Sequence, residues 1–256
     1  MLKWPKKERQ KKMEKFIQNH IVYSYECDQE GKLRLLTLFN LLQNTADFHA
    51  EELNVGYKFF IEKNMCWVGA GYALHINKRP KWGDKITLQT WPSGLTPVAA
   101  IRDFNVMDNE GNSLFTATSQ WVLIDIHSGR PQPTKNNVGS LTALPERALQ
   151  SSFSKIPEPL RVDFEKHFYV RYDDIDINKH VNNAIYPVWA SEGVPHNFRE
   201  THEIEDIQIS FKKPAFFGDE ILVLTQIDGN QTLHQIMSLD KTREFSRIRI
   251  VWRDKE

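Results

Sequence analysis

Apolar residues recur at intervals of three and four over residues 35–53, which is the period of one face of an α-helix. The pattern predicts a long helix there, with Asn54 and Gly56 as its stop signals. Residues 21–25 are rich in β-branched and aromatic side chains, so a strand is expected just before the helix. These two elements begin a first structural unit.

Strand-forming segments follow the predicted helix. They span residues 67–76, 85–91, 101–107 and 114–124, and a polar turn at 108–111 joins the last two as a hairpin. A long helix followed by a run of antiparallel strands is typical of an α+β layer, in which the helix lies across a curled sheet.

The same order of elements returns in the second half of the chain. After a proline- and serine-rich stretch, the pattern predicts a strand at 168–172, a helix at 183–192, and strands at 207–211, 221–227, 233–239 and 246–252. Segments 78–84 and 212–219 each contain a basic pair, a proline and a Gly-Asp step. This repeat predicts two copies of one unit, whose sheets could pair edge to edge in a continuous antiparallel sheet.

Composition sets the expected organisation of the chain. The 256 residues are 40% hydrophobic and 26% charged with zero formal net charge, as in an ordinary globular protein. The expected parts are a basic tail at 1–15, a first unit at 16–139, a linker at 140–165 and a second unit at 166–256. Neutral charge gives no reason to expect nucleic acid as a partner.

Location is predicted from the cysteines and from hydropathy. Cys27 and Cys66 are the only cysteines, and their spacing fits neither a disulfide framework nor a zinc site. Apolar runs stay below the roughly 20 residues that a membrane helix needs, and no signal peptide is recognisable. We therefore expect a cytoplasmic protein without membrane insertion, metal or cofactor.

Residues 173–189, with the sequence DDIDINKHVNNAIYPVW, combine alternating polar and apolar positions. If residues 174–181 are extended, alternate side chains point to opposite faces. The polar face would carry Asp174, Asp176, Asn178 and His180, and the apolar face Ile175, Ile177 and Val181. The sequence thus predicts four converging polar groups that are anchored in a core.

A helix N-terminus is predicted directly after this polar run. Pro187 is tolerated only in the first turn of a helix, so the helix should begin near Asn182 or Asn183, either of which is a good N-cap. Unpaired backbone N–H groups at such an end favour developing negative charge. This arrangement suits acyl transfer.

Three segments together resemble the acyl-acyl-carrier-protein thioesterase family. They are DDIDINKHVNN at 173–183, KRPKWGDKITLQTW at 78–91 and ATSQWV at 117–122. The resemblance implies two fused hotdog folds, each a long helix wrapped by an antiparallel sheet, and hydrolysis of fatty acyl thioesters that ends chain elongation. It also implies Asp176, Asn178 and His180 as the active-site residues.

Roles for these three residues follow from the needs of thioester hydrolysis, which are a base for water, a group that orients the base, and donors for the oxyanion. His180 could be the base with Asp176 fixing its tautomer, and Asn178 could donate to the carbonyl. The inverse assignment, with Asp176 as base and His180 as donor, stays open. A turn-and-cap network before a helix is the structural alternative for all three.

The sequence departs from the plant members of the family at one place. There a Glu-Cys pair follows the basic pair, and Pro214 and Ala215 occupy these positions here. Neither side chain can titrate, which excludes a cysteine nucleophile there. The general base should then be Asp174, Asp176, His180 or a residue such as Glu192.

The implied partner is an acyl carrier protein that bears a fatty acyl group, and a homodimer is left open. Lys78, Arg79, Lys212 and Lys213 could form a basic surface for this acidic carrier, although charges beside strand ends are often only solvated. Two other functions remain open. One is a coenzyme A thioesterase or hydratase on the same fold, and the other is a non-catalytic acyl-binding module.

Overall fold

The computed structural model describes residues 14–139 and 141–255, so most of the basic tail expected at 1–15 lies outside the described residues. The strands are β1 Phe16–Ile21, β2 Met65–Ile76, β3 Lys85–Leu95, β4 Ala100–Met107, β5 Ser113–Asp125, β6 Phe164–Tyr169, β7 His202–Phe211, β8 Glu220–Asp228, β9 Gln231–Ser238 and β10 Glu244–Asp254. The helices are α1 Leu35–Glu52, α2 Tyr57–Ile61, α3 Thr134–Asn137, α4 Ile185–Glu192 and α5 His196–Thr201.

All ten strands belong to one antiparallel sheet with the order β1-β3-β4-β5-β2-β7-β10-β9-β8-β6. Read outward from its centre, each half of the sheet has its strands in the same relative order, which confirms the predicted repeat of one unit. The halves join where β2 pairs with β7, from Gly71 opposite Ser210 to His75 opposite Asp206. The expected continuous sheet is therefore confirmed.

Close backbone packing at this junction explains a glycine in β2. A Cβ atom on Gly71 would lie 2.8 Å from the carbonyl oxygen of Ile209 and 3.2 Å from the ring of Phe153. Because real Cβ atoms do not approach a backbone oxygen so closely, only glycine fits there. On its other side, the pairing of β2 with β5 shifts register between Gly69 and Gly71, which marks a β-bulge.

Helix α1 packs on the first half of the sheet through the stripe that its sequence predicts. Leu38, Leu42 and Ala46 are buried at intervals of four, together with Phe39 and His49. The helix ends at Glu52, and Asn54 then takes a positive φ of 55°, in agreement with its predicted role as a stop signal. Burial of this stripe, rather than intrinsic propensity, stabilises the helix.

Several predicted boundaries were wrong. Residues 21–25 do not form the first strand, because β1 ends at Ile21 and a 3₁₀ turn covers Ser24–Glu26. In the second half β6 begins and ends earlier than the predicted strand at 168–172. The second helix, α4, has only 8 residues against 18 in α1, so the two units do not each have a long helix.

The segment between the two halves is tied to the sheet by buried polar groups. Asp103 of β4 is fully buried, and its carboxylate accepts hydrogen bonds from Ser93 Oγ at 2.9 Å and Thr118 Oγ1 at 2.6 Å. It also accepts bonds from Arg147 Nε at 2.9 Å and from the backbone N–H of Ala148 at 2.7 Å. The connecting segment is therefore fixed where it leaves the first half.

A second anchor holds the same segment at the other half. Arg247 of β10 donates from Nη1 to the carbonyl oxygen of Ile156 at 3.2 Å and forms ion pairs with Glu158 and Glu244. The backbone N–H of Leu160 adds a 2.6 Å hydrogen bond to Gln226 Oε1.

No helix in residues 14–139 or 141–255 is long and apolar enough to span a membrane.

A neutral histidine lies in the core of the second half. Burial lowers the pKa of His234 to about 3, and its two ring nitrogens contact Thr225 Oγ1 at 3.0 Å and Thr232 Oγ1 at 2.8 Å. Trp252 Nε1 donates to the same Thr232 hydroxyl at 2.9 Å. Burial favours the uncharged imidazole, because a charged ring in this site would lose its hydration.

Replacing Asp103 with alanine should lower the free energy of unfolding by about 3 kcal/mol, because Arg147, Thr118 and the linker N–H lose a buried partner. Urea denaturation of wild type and Asp103→Ala measures this. Asp173→Ala, at an exposed position, is the control and should change stability by less than about 0.5 kcal/mol. Equal stability of the two variants would show that the linker anchor contributes little.

His234 should make the fold less stable in mild acid. Below pH about 6.5 the unfolded chain binds a proton at this residue, whereas the folded chain binds it only near pH 3. The unfolded state thus binds more protons than the folded state in this window. The free energy of unfolding therefore decreases as the pH is lowered, by about 2 kcal/mol from pH 7 to pH 5. His234→Gln should remove this part of the pH dependence, while His196→Gln, at an exposed position, should retain it.

Candidate active site

The predicted extended run at residues 174–181 is instead a tight loop. Ile175 and Val181 form an isolated antiparallel bridge, and the N–H of Asp176 donates to the carbonyl oxygen of His180 at 2.9 Å. Lys179 takes a positive φ of 66° at the turn. The period-two prediction was therefore wrong for this segment, and Ile177, expected in the core, is 83% exposed.

Asp176 shapes this loop through Asn178. Its Oδ1 accepts the backbone N–H of Asn178 at 2.8 Å, and its Oδ2 accepts the side-chain amide at 3.3 Å. This is the local Asx-turn geometry that aspartate favours. Since an amide nitrogen carries two N–H groups, Asn178 keeps one donor for another acceptor.

His180 lies beside Asp176 but does not hydrogen-bond to it, because Nδ1 and Asp176 Oδ1 are 3.8 Å apart. Nδ1 instead lies 3.3 Å from the carbonyl oxygen of Val181. Only a protonated Nδ1 can donate to a carbonyl oxygen, so this contact favours the tautomer that leaves Nε2 without hydrogen. The expected orientation of His180 by Asp176 is thus replaced by a backbone contact.

Helix α4 begins directly after the loop, with Ala184 rather than an asparagine at the N-cap. Asn182 still contributes, because its Oδ1 accepts the backbone N–H of Ala184 at 2.9 Å. Pro187 lies in the first turn, as predicted. The loop therefore leads into a helix N-terminus, where backbone N–H groups favour negative charge.

Two of the other carboxylates considered as general bases, Asp174 and Glu192, are held in ion pairs. Asp174 is buried and forms an ion pair with Arg171 at 2.7 Å, besides capping the 3₁₀ turn. Burial alone would raise the pKa of Glu192, but its ion pairs with Arg199 and with Lys166 at 3.1 Å outweigh burial and hold the pKa below its ordinary value. These partners assign both acids to structural roles.

A pocket with a cavity volume of about 60 Å³, or about 500 Å³ when the open space in front of it is included, lies in the first half of the molecule. Most of its wall is apolar, and Asp47 and Arg102 are the charged residues. The lining consists of Ala46, Asp47, Ala50, Val55, Trp67, Pro92, Ala100, Ile101, Arg102, Trp121 and Leu141. A mostly apolar pocket with few polar groups is typical of a site for a small organic ligand.

The polar lining of the pocket was not predicted. Arg102 is buried, and its Nη1 contacts His49 Nδ1 at 3.0 Å and Thr90 Oγ1 at 3.2 Å. Burial raises the pKa of Asp47 to about 6, with Arg102 opposing and Asp176 adding to the rise. Helical periodicity marks Asp47 only as a polar residue beside the buried stripe of α1, so its place in a pocket had no sequence signal.

Two asparagines bring the loop of the second half to the pocket of the first. Asn182 Nδ2 donates to Asn40 Oδ1 on α1 at 3.0 Å. Asn183 lies over β2, where a Cβ on Gly69 would approach its Nδ2 to 3.0 Å and would lie 3.8 Å from the ring of Trp121. Because Trp121 lines the pocket, residues 182–183 lie at its border.

Pro214 and Ala215 fill the position where the plant members of the family have a Glu-Cys pair. Ala215 is fully buried, and its backbone N–H donates to Tyr186 Oη at 3.0 Å. Its carbonyl oxygen accepts the N–H of Val181 at 2.8 Å, which fixes the end of the motif loop. The segment supports the loop and contributes no ionisable group.

The four basic residues considered for partner binding do not form one surface. Lys78 follows the end of β2 that lies beside Asp206, whereas Lys212 and Lys213 follow the opposite end of the β2–β7 pair. Arg79 is also paired with Asp28 at 2.5 Å.

Within residues 14–139 and 141–255, no three His, Cys, Asp or Glu side chains converge as metal ligands do.

Comparison with protein-family models identifies both halves of the chain. Residues 13–141 match the acyl-ACP thioesterase N-terminal domain, and residues 157–254 match the C-terminal domain. The chain is 26% identical over 260 residues to the chloroplastic palmitoyl-acyl carrier protein thioesterase of Cuphea hookeriana, covering 94% of this chain and 62% of that protein. It thus spans less than two thirds of the length of that relative.

A second relative and a solved structure are also similar to this chain. Oleoyl-acyl carrier protein thioesterase 1 of Arabidopsis thaliana is 26% identical, over 94% of this chain and 76% of that protein. The 12:0-ACP thioesterase from Umbellularia californica superposes with a TM-score of 0.84 at 23% identity, over 94% of this chain and 98% of that one. This likeness confirms the expected α+β fold of two tandem hotdog units. By its two matching family models, the chain belongs to the acyl-ACP thioesterase family.

Proposed function

We propose that this protein hydrolyses fatty acyl thioesters carried on acyl carrier protein, releasing free fatty acid and ending chain elongation. The observation that carries the proposal is the meeting of two complementary parts at residues 182–183. An apolar pocket from the first half borders a loop from the second half that bears Asn178 and His180. Membership of the family and the names of the relatives support the same substrate class.

In the proposed mechanism the acyl chain lies in the pocket and the thioester carbonyl faces the motif loop. The second N–H of Asn178 Nδ2 donates to the carbonyl oxygen, while Asp176 holds this amide in place. The unprotonated Nε2 of His180 takes a proton from water as the water oxygen bonds to the carbonyl carbon. Asp176 is therefore a positioning residue in this scheme.

Collapse of the tetrahedral intermediate completes the reaction. The carbonyl double bond forms again, the C–S bond breaks, and sulfur leaves with the electron pair. His180 then returns its proton to the sulfur, so that the products are a carboxylic acid and a thiol. Both halves of the active site come from one chain, so the scheme does not require a second copy in a homodimer.

We also propose a cytoplasmic location. Cys27 and Cys66, both free thiols, support this location.

Replacing His180 with alanine should lower kcat for acyl-carrier-protein hydrolysis by about 10²–10⁴, because the proton acceptor is lost. Asn178→Ala should lower kcat by about 10²–10³, because one oxyanion donor is lost. Release of free thiol from carrier substrates of short to long acyl chains measures both effects. His196→Ala, on the exposed face of α5, is the matched control and should retain full activity.

The same assay separates the alternatives. Faster turnover of the matching coenzyme A thioester would assign the protein to a coenzyme A thioesterase instead. Binding of acyl carrier substrate without any hydrolysis by the wild type would indicate a non-catalytic acyl-binding module. Wild-type activity in His180→Ala and Asn178→Ala would contradict the placement of the active site on this loop.

We further propose that the acidic carrier protein docks beside Lys213 rather than beside Lys78. Lys213 is exposed and precedes Ala215, whose carbonyl oxygen binds the motif loop. Lys212 lies next to it and pairs with Glu244 at 3.3 Å. Lys78 is exposed at the far end of β7 and so is too remote to share a contact around the thioester.

Lys213→Glu should raise KM for the carrier substrate several-fold and weaken its salt dependence, because one attractive charge becomes repulsive. Lys78→Glu makes the same charge change beside the equivalent proline of the first repeat, where Lys78 aligns with Lys212, and should leave KM unchanged. Steady-state kinetics at low and high ionic strength measure both variants. A larger effect at Lys78 would place the carrier at the opposite end of the sheet junction.

A further inference from the structure

A hydrolytic water needs two hydrogen-bond acceptors if one of its lone pairs is to point at the carbonyl carbon. Nε2 of His180 supplies one acceptor in the proposed mechanism. In the motif region both oxygens of Asp176 already accept a hydrogen bond from Asn178, and Asp174 is bound by Arg171. An acceptor on another element would complete the hydrogen bonds of the water without competing with these contacts.

Asp47 on α1 is the carboxylate that remains. It lines the apolar pocket, and among residues 14–139 and 141–255 it has no hydrogen-bond or ion-pair partner. Because this side chain is exposed at the pocket, its carboxylate is open to accept a hydrogen bond from a bound water. The pocket wall therefore carries an acceptor that the rest of the fold does not use.

The position of Asp47 on α1 directs it toward the motif loop. Asn40, which binds Asn182 of the loop region, lies seven residues earlier and thus two turns away on the same face of the helix. The pocket residue Trp121 lies close to Asn183 at the other side of the mouth. Asp47 therefore lies on the pocket wall and on the face of α1 that also contacts the segment following the motif loop.

Electrostatics agree with this placement. Burial raises the pKa of Asp47 to about 6, and the negative charges of Glu51 on the same helix and Asp176 on the loop add to the rise, while Arg102 on β4 opposes it. The Asp47 side chain is exposed to the open pocket, and an acyl chain bound there would exclude water from its carboxylate.

On this geometry we propose that Asp47 is a further catalytic residue, whose carboxylate binds the attacking water opposite His180 and stabilises the imidazolium that forms. This inference rests on the proposed hydrolytic function and adds a second half of the molecule to the catalytic machinery. No proton is transferred to Asp47. One water hydrogen stays hydrogen-bonded to its carboxylate while the other passes to Nε2 of His180.

The test compares Asp47→Asn, which keeps the shape and removes the charge, with wild type and with Glu52→Gln. Glu52 lies on the same helix at an exposed position outside the pocket, so it is a matched loss of one negative charge. Asp47→Asn should lower kcat for carrier-bound acyl substrate by about 10² with little change in KM. Glu52→Gln should behave as wild type, and Asp47→Glu should recover part of the activity.

Two further readouts separate catalysis from structural support. Because Asp47 acts as a carboxylate, Asp47→Asn should lose one ionisation from the acid limb of the log kcat/KM profile, so that its slope there is lower by about one than in the wild type. The melting temperature of Asp47→Asn should equal or exceed that of wild type, because the variant removes an unpaired charge. A structural residue would lower it.

Each contrary outcome has a distinct meaning. If Asp47→Asn stays within about threefold of wild type while His180→Ala is inactive, the role of Asp47 is wrong and the proposed function stands. A lower melting temperature with proportional loss of activity would make Asp47 structural and would also overturn the inference. Absence of hydrolysis by the wild type would overturn both proposals together.

Discussion

The pairing of β2 with β7 is the contact on which the rest of the molecule depends. It joins two five-stranded halves through five residue pairs, and it brings the backbones so close that Gly71 cannot carry a side chain. The register of this short ladder fixes where the second half lies on the first. Because Asn183 then lies over Gly69, the loop of one half meets the pocket of the other. A slip by one residue would turn these side chains to the opposite face and separate the two parts of the site.

The two halves share one strand order but have diverged in their interiors. Thr90 and Thr225 are 135 residues apart, the same separation as Gly83 and Gly218 in the repeated segment. In the first half Thr90 contacts a buried arginine at the pocket wall. In the second half the equivalent threonine packs under a short helix, where a Cβ on Gly193 would lie 2.6 Å from Thr225 Oγ1. One half thus keeps space for a ligand, and the other uses the same region for packing.

The sequence predicted the elements well where one physical pattern dominates. The stripe of α1, the hairpin at 108–111 and the edge-to-edge sheet follow from helical period, turn residues and the internal repeat. Residues 174–181 were predicted wrongly, because alternating polarity also arises when Asp and Asn bond to nearby backbone groups in a loop. The place of Asp47 beside the pocket depends on long-range packing, which no local pattern encodes.

The boundaries near residues 21–25 and 168–172 failed for a related reason. Both segments run past the end of a strand toward a 3₁₀ turn, at Ser24–Glu26 and Tyr172–Asp174, and their aromatic and β-branched residues beyond the strand end are strand-like although they lie outside the pairing. Amino-acid composition indicates only that these residues are suited to a sheet. The extent of the neighbouring strand determines where the pairing ends. The same boundary error occurs at equivalent places in the two halves, because the internal repeat gives both halves the same strand-to-turn transition.

The central strand pairing also has a consequence for synthesis of the chain. The strand β2 is complete long before β7 leaves the ribosome, since Tyr72 and Ile209 are partners across 137 residues. At about 5–20 residues per second, the interval between the end of the first half and the arrival of β7 lasts on the order of several seconds. During that time the nascent first half presents one long unpaired edge, of the kind that seeks other strands. The β-bulge that β2 forms against β5 at Gly69–Gly71 bends this strand near its middle and so makes its open edge a poor template for pairing with another nascent chain.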